Sequence, residues 1–363
     1  MKVLYITGQI LQHGGIEKVL AMKLNYWADA GYDVYLSTYE QGGQPFIYPI
    51  SNKVDYEDIH IDYNVDYSCS SLYSLKYLKL VPKHIYRTYQ LIRRIKPDVI
   101  IIPNFGYEYW FLPLVKGNAT IIREFHDSQY KRGMGGLKVK VDDFVQRFYD
   151  YIVVLTPQEV SYFKHKSNVA VIPNPIVEAT VLSDLSSYRV VTVGRLNRVK
   201  RFELFIEVAR QVVQVYPDAV FEIWGEGDSV YRCELESLIE KENLGNHVFL
   251  RGATSQVDKE LSKASMYVCT SSTESFGMTL IEAMESGLPV VSFDCPHGPR
   301  NIIHDNEDGF LIPNDSVDKM AQVIVDLLRN RKKLSEMGQK ARENATAFHI
   351  DNVMKKWLNL FSK

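Results

Sequence analysis

Met266-Tyr-Val-Cys-Thr270, followed by Thr273-Glu-Ser-Phe-Gly-Met-Thr-Leu-Ile-Glu-Ala-Met-Glu-Ser-Gly-Leu-Pro289, reads as a short apolar strand, a loop and a helix with its own stop signal. The run at 266–270 has the length and β-branched or aromatic content of a buried strand. Residues 274–277 then form the turn into a helix that begins near Met278. Gly287 supplies a left-handed C-terminal cap, and Pro289 blocks continuation. A further strand at 289–293 completes a β-α-β unit, which calls for a parallel sheet. Open sheets of this kind bind ligands at their carboxyl edge, and exposed amides at a helix N-terminus favour a phosphate there.

The same rhythm extends in both directions. Strands are predicted at 188–194, 219–224 and 247–250 on the near side, and at 2–7, 33–39, 98–103, 120–124 and 151–155 in the first half. Helices fall between them, near 17–30, 72–95 and 139–150, with Pro82 kinking or restarting the middle one. After Pro313 only helical patterns follow. The chain of 363 residues is long enough for two domains. Val171-Ile-Pro-Asn-Pro-Ile176 and the weakly periodic 178–187 read as the linker between them. The fold class is therefore α/β, with two Rossmann-like domains facing a central cleft: an N-terminal domain at 1–180, a C-terminal domain at 181–340, and a final helical segment at 341–363.

Composition removes several function classes. The chain is 46% hydrophobic and 24% charged, with 42 basic against 44 acidic residues and a net charge of −2. Disorder, collagen and nucleic-acid binding driven by bulk charge are excluded on those figures. Apolar runs such as Val99-Ile-Ile-Ile102 fall far short of a membrane span, and the first residues read as a strand rather than a leader. A cytoplasmic location is expected. Cys69, Cys233, Cys269 and Cys295 form no CxxC pair, so no disulfide framework and no zinc site is encoded. Asp142-Asp143 reads as a helix surface rather than a magnesium site. The segment Lys76–Lys96 carries Lys76, Lys79, Lys83, Arg87, Arg93, Arg94 and Lys96 with no acidic residue. Such a helix can rest on an anionic membrane surface, at about 1 kcal/mol per basic residue, or pack on a core with its cationic face in water.

Three groups of residues point to chemistry. Glu282 lies one turn into its helix among Leu280, Ile281, Ala283 and Met284, where a carboxylate needs a polar partner. Glu274 precedes it on the loop. Gly194-Arg-Leu-Asn-Arg-Val-Lys200 follows a strand, and Arg195 and Lys200 can clamp a diphosphate, the first as a fork and the second as a point charge. Cations at a helix start oppose its dipole, so an anion is their natural complement. Gly225-Glu-Gly-Asp228 lacks the third glycine of a dinucleotide loop and reads as a plain turn.

Gly14-Gly15-Ile-Glu17, Gly194-Arg195 with Lys200, the Glu274 and Glu282 pair, and Phe293-Asp-Cys-Pro-His-Gly-Pro-Arg300 together resemble the retaining glycosyltransferases of family 4, which have the two-domain GT-B fold. The resemblance implies that Arg195 and Lys200 hold the donor diphosphate together with amides of Phe276, Gly277, Met278 and Thr279. Glu282 would accept from the ribose hydroxyls, and Glu274 would hold hydroxyls of the transferred sugar. Gly15 would approach the diphosphate, His126 would line the sugar pocket, and Gly252 and Ala253 would sit at the nucleobase loop. The final helix would cross back to the first domain. The histidine-glycine-proline stretch resembles members that build bacterial surface polysaccharides from UDP-hexoses or UDP-N-acetylhexosamines.

The expected activity is thus retaining transfer of a hexose or N-acetylhexosamine from a UDP-sugar to a glycan or lipid-linked saccharide, with no cofactor and no metal. The family's front-face route, in which the leaving phosphate oxygen takes the acceptor proton, needs no protein nucleophile. Acceptor choice would rest with loops at 41–52, 63–71 and 130–140. Two alternatives remain at this stage: a nucleotide-sugar epimerase of the same fold, which would need an acid and a base at the sugar's second carbon, and a non-catalytic partner subunit that binds nucleotide sugar.

Overall fold

The computed structural model describes residues 1–11, 14–63, 77–103, 106–129 and 137–362. Two compact units divide the chain, one of Met1–Pro175 with Val353–Lys363, the other of Ile176–Asn352. The first unit ends before the expected 180 and takes back the chain only from 353, not from 341. The reason lies in the preceding helix, whose Asn344 amide donates to the Ile302 carbonyl at 2.7 Å and to Asp308 at 2.8 Å, both within the second unit.

In the first unit β1 (Lys2–Thr7), β2 (Asp33–Thr38), β3 (Asp55–Asp58), β4 (Val99–Pro103), β5 (Thr120–Glu124), β6 (Tyr151–Val154) and β7 (Val169–Val171) form one parallel sheet in the order β3-β2-β1-β4-β5-β6-β7. Helices α1 (Gly15–Asp29), α2 (Val81–Ile95), α3 (Glu108–Val115) and α4 (Leu137–Gln146) make the crossovers. Every residue of β4 is buried, as expected of a central strand covered on both faces. The order reverses between β1 and β4, which opens a crevice at the carboxyl ends of those strands.

The second unit repeats the plan. Its sheet runs β10-β9-β8-β11-β12-β13, built of β8 (Arg189–Val193), β9 (Val220–Trp224), β10 (Val248–Gly252), β11 (Met266–Cys269), β12 (Val290–Phe293) and β13 (Gly309–Ile312). Helices α5 (Phe202–Val213), α6 (Ser229–Lys241), α7 (Val257–Leu261), α8 (Met278–Glu285), α9 (Val317–Arg329) and α10 (Arg331–Ala345) accompany it. Its core joins Phe205, Ile206 and Ala209 of α5 to Phe221 and Ile223 of β9 and to Ile324 and Leu328 of α9. The last helix, α11 (Ile350–Phe361), sends Val353, Met354, Trp357 and Leu360 inward.

Four elements differ from the sequence expectation. β3 reads Asp-Tyr-Glu-Asp, an edge strand without an apolar face, and β7 is three residues long. β13 starts on a glycine, and α3 carries Pro113 inside an otherwise apolar helix. The 72–95 helix is a short 3-10 turn at Tyr77–Leu80 followed by α2, with Pro82 in the first turn where its missing N–H costs nothing. Its earlier part, with Lys76, lies outside the described residues, as do much of the 63–71 loop, with Cys69, and part of the 130–140 loop.

On α2, Leu91, Ile92 and Ile95 are buried while Lys79, Lys83, Arg93, Arg94 and Lys96 are exposed. Lys83 donates to the His60 carbonyl at 2.7 Å, Arg87 to the Ile59 and His60 carbonyls, and Arg94 pairs with Glu57. Much of the cationic face therefore serves the first unit itself.

Candidate functional site

In the second unit the carboxyl ends of β8 and β11 bring three loops together. Asn197 accepts from the Lys200 amide at 3.2 Å and caps a single 3-10 turn, Arg198–Lys200. The turn directs the Lys200 ammonium to Glu274, with Nζ 2.6 Å from Oε1. Ser271 donates to the same oxygen at 2.6 Å, and the Cys269 thiol lies 3.9 Å from it. All three contacts fall on Oε1. Burial is the largest influence and acts to lower the Lys200 pKa, but Glu274, with Cys269 and Tyr267, outweighs it and holds the ammonium above its ordinary range.

The loop that bears Glu274 is fixed by backbone. The Gly298 amide donates to the Glu274 carbonyl at 3.0 Å, and the Glu274 amide reaches the Pro296 carbonyl at 3.4 Å. Gly298 has to be glycine, because a Cβ there would come within 2.7 Å of the Glu274 Cβ and meet the Phe276 carbonyl as well. This explains the Pro-His-Gly-Pro run in physical terms. Phe276 is buried against Phe348, with ring centroids 5.7 Å apart.

Gly277 caps α8 in the left-handed conformation, with φ of 99°. The amides of Gly277, Met278 and Thr279 precede Leu280, the first amide to donate within the helix, and form the electropositive end of α8. Tyr267 fixes this end, its hydroxyl hydrogen-bonding Thr279 Oγ1 at 2.7 Å. Glu282 is half-buried one turn further on. The helix ends in a Schellman motif, as its sequence requires: the Leu288 amide bonds the Ala283 carbonyl at 3.0 Å and the Gly287 amide the Met284 carbonyl at 2.9 Å.

The other cations of the Gly-Arg segment have protein partners. Arg198 pairs with Glu234 at 2.5 Å and lies over the Tyr231 ring. Arg201 donates to the Thr270 carbonyl at 2.9 Å, pairs with Asp315 and lies over Phe293, so it braces the loop after β11. Arg195 is exposed at the end of β8. Gly252 ends β10 with φ of 79°, its carbonyl accepting from the Gly225 amide at 2.8 Å, and Ala253 follows it exposed. Arg195, Lys200, Gly252, Ala253, Glu274, Phe276, Gly277, Met278, Thr279 and Glu282 thus all belong to the carboxyl-edge loops of one sheet or to the helix that starts there.

Gly15 and His126 belong to the first unit. Gly15 is the first residue of α1, after Gly14 in extended conformation. His126 follows β5 and is buried, with Nε2 3.8 Å from Glu124 Oε2. Sequence reading missed Glu124, which also takes the Lys23 ammonium and the Tyr5 hydroxyl, the latter at 2.7 Å. It missed Ser271 and Glu285 too. Glu285 is buried at the far end of α8, where it accepts from the Ala179 amide at 3.1 Å and meets His349 at 2.7 Å. The signal for Glu285 was a second carboxylate on an apolar helix. Among the described residues no group of three His, Cys, Asp or Glu could hold a metal ion, and no helix is long and apolar enough to cross a membrane.

Comparison with known proteins places these loops in a family context. Residues 13–179 match the profile described as Glycosyltransferase Family 4, and residues 178–344 match that of Glycosyl transferases group 1. A poly(ribitol-phosphate) alpha-N-acetylglucosaminyltransferase of Staphylococcus aureus is 40% identical over 174 residues, which are 47% of this chain and 35% of that enzyme. An uncharacterised glycosyltransferase of Haemophilus influenzae is 27% identical over 98% of both chains. This chain spans about a third or less of the length of the curated relatives from Staphylococcus aureus, Bacillus subtilis and Streptomyces coelicolor. Among solved structures, Anabaena HepE in complex with UDP and glucose superposes with a TM-score of 0.80 at 18% identity, covering 100% of this chain and 99% of that one.

Proposed function

Because the chain belongs to the glycosyltransferases with the GT-B fold, we propose that it moves a hexose or N-acetylhexosamine from a UDP-sugar, with retention, to a glycan or lipid-linked saccharide of a cell-surface polymer. The observation that carries the reading is the junction of Lys200, Glu274 and the α8 amides at one sheet edge. Support for the donor comes from the relatives' names: N-acetylglucosaminyltransferases and glucosyltransferases occur among them, and HepE is described with UDP and glucose.

Departure of UDP leaves negative charge on its terminal phosphate. Lys200, Arg195 and the amides of Gly277, Met278 and Thr279 are the groups proposed to meet that charge, with no metal required. The carboxylate of Glu274 uses Oε1 for Lys200 and Ser271. Its other oxygen remains for hydroxyls of the transferred sugar. Glu282 is proposed to accept from the ribose, while Gly252 and Ala253 flank the base. From the first unit, His126 is proposed to meet the sugar and Gly15 the diphosphate. The leaving phosphate oxygen takes the proton of the acceptor hydroxyl as the new bond forms on the same face, so no protein base is needed.

Thermal unfolding in the presence of UDP-, GDP- and ADP-sugars tests the donor. A ligand at a hundred times its Kd stabilises by about 2.7 kcal/mol, and only UDP species are expected to do so. Stabilisation by GDP- or ADP-sugars alone overturns the donor assignment. Anomeric configuration of the product, read by NMR, tests retention, and undiminished activity in EDTA tests independence of metal.

A further inference from the structure

In the first unit the end of β5 carries a buried charge relay that the proposed reaction does not by itself explain. Glu124 is buried at the last position of the strand, and each of its oxygens has a partner. Oε1 takes the ammonium of Lys23, which is 1% exposed and enclosed by the rings of Tyr5, Trp27 and Trp357 at 5.3, 5.6 and 4.5 Å. Oε2 accepts from the Tyr5 hydroxyl at 2.7 Å and faces His126 Nε2 at 3.8 Å. The opposite ring nitrogen of His126, Nδ1, is buried with no hydrogen-bond partner.

An orphaned acceptor or donor in a protein interior calls for an occupant, because burial without a partner is costly. Which role Nδ1 plays depends on where the imidazole proton sits, and the partner of the other nitrogen sets that. A carboxylate draws the proton to the nitrogen nearest it, as carboxylates behind metal-bound histidines do. Burial works to raise the Glu124 pKa, but Lys23 and His126 together outweigh it and lower the carboxyl from 4.5 to about 2.

We infer that Glu124 is a positioning residue, keeping His126 protonated on Nε2 so that Nδ1 presents a bare lone pair that accepts a hydrogen bond from a hydroxyl of the donor sugar. The inference rests on the proposal that His126 meets that sugar. Glu124 itself touches no substrate in this scheme. Its effect passes entirely through the orientation and tautomer of the ring, and Lys23 serves by keeping the carboxylate charged.

The tautomer is readable without any substrate. In full-length protein carrying 15N-histidine, a long-range proton-nitrogen spectrum near neutral pH, with the His126 signal identified by its loss in His126→Asn, is expected to show the Nε2-protonated form. In Glu124→Gln the same signal is expected to become a mixture of tautomers, and kcat/KM for UDP release from UDP-N-acetylglucosamine or UDP-glucose to fall at least tenfold while UDP itself binds within twofold of wild type. A wild-type ring protonated on Nδ1 overturns the inference even if Glu124→Gln fails to fold. So does a Glu124→Gln protein with unchanged tautomer and unchanged kcat/KM. Full activity of His126→Asn beside the expected tautomer instead overturns the donor contact of His126, which separates the two failures.

Discussion

Lys200 and Glu274 hold each other at 2.6 Å, and each was expected to grip a different part of the donor. Mutual pairing solves a problem at the residue scale: a half-buried ammonium and a half-buried carboxylate waiting for ligand would each carry a desolvation cost alone. The diphosphate of the proposed donor would then meet a cation already held in place. Arg198 and Arg201 are engaged by Glu234, Asp315 and loop carbonyls, and Arg195 is exposed at the end of β8, where the proposed reaction assigns it to the diphosphate. Arg195→Ala is therefore expected to reduce turnover about a hundredfold if it meets leaving charge, whereas Glu282→Ala raises the donor KM more than it lowers kcat. Steady-state kinetics with varied donor separates the two, and full turnover by Arg195→Ala contradicts the assignment. A second residue-scale test concerns Glu108, whose carboxyl burial pushes up to about 8 from 4.5. Between those values the folded state keeps a proton that the unfolded state has lost, so stability declines as pH rises from 4.5 to 8. Glu108→Gln removes that decline: it should melt higher than wild type at pH 8 and no higher at pH 4.5, in thermal unfolding at both values.

At the scale of elements, α8 is anchored at both ends by groups that no local pattern announces. Tyr267 holds its first turn through Thr279, and Glu285 in its last turn joins the Ala179 amide and His349. Propensity and the glycine cap are enough to start and stop the helix, but these tertiary contacts determine where its electropositive end points. The basic helix α2 shows the same distinction. Its spacing announced an amphipathic helix, yet Lys83, Arg87 and Arg94 turn to carbonyls and a carboxylate of β3 and the residues after it. Of the basic residues at this helix and its ends, the exposed Lys79, Arg93 and Lys96 are the ones left to test for contact with an anionic membrane. Wild-type protein is expected to float with phosphatidylglycerol vesicles at low salt and Lys79→Glu/Arg93→Glu/Lys96→Glu to remain in the load, at about 1 kcal/mol lost per charge. Wild type that fails to float removes the membrane from the account.

Over the whole molecule, the chain ends by completing the unit in which it began. Trp357 of α11 lies edge-on to Trp27 of α1 with centroids 5.7 Å apart, Phe361 joins them, and the three cover Lys23 or its neighbours. Trp357→Ala should cost about 3–5 kcal/mol by lost packing alone. Urea unfolding followed by far-UV circular dichroism measures it, and a loss below about 1 kcal/mol contradicts the role given to α11. What could be read in advance was everything set by period and punctuation: ten of the strands, the Pro-bearing junction, the start of α8 at Met278 and its cap at Gly287, and the cationic and acidic residues that share one sheet edge. Those features depend on neighbours within a few residues, so local backbone preference and hydrophobic alternation specify them. Edge strands such as Asp55–Asp58 bury no apolar face and left no trace in the pattern. Pairings across the chain depended on folding: Lys200 with Glu274, Glu124 with Lys23 and Tyr5, and Arg201 with the loop after β11 are separated by dozens of residues or more. A charged side chain seeks whichever partner packing brings within reach, and only the closed sheets with their covering helices determine which that is.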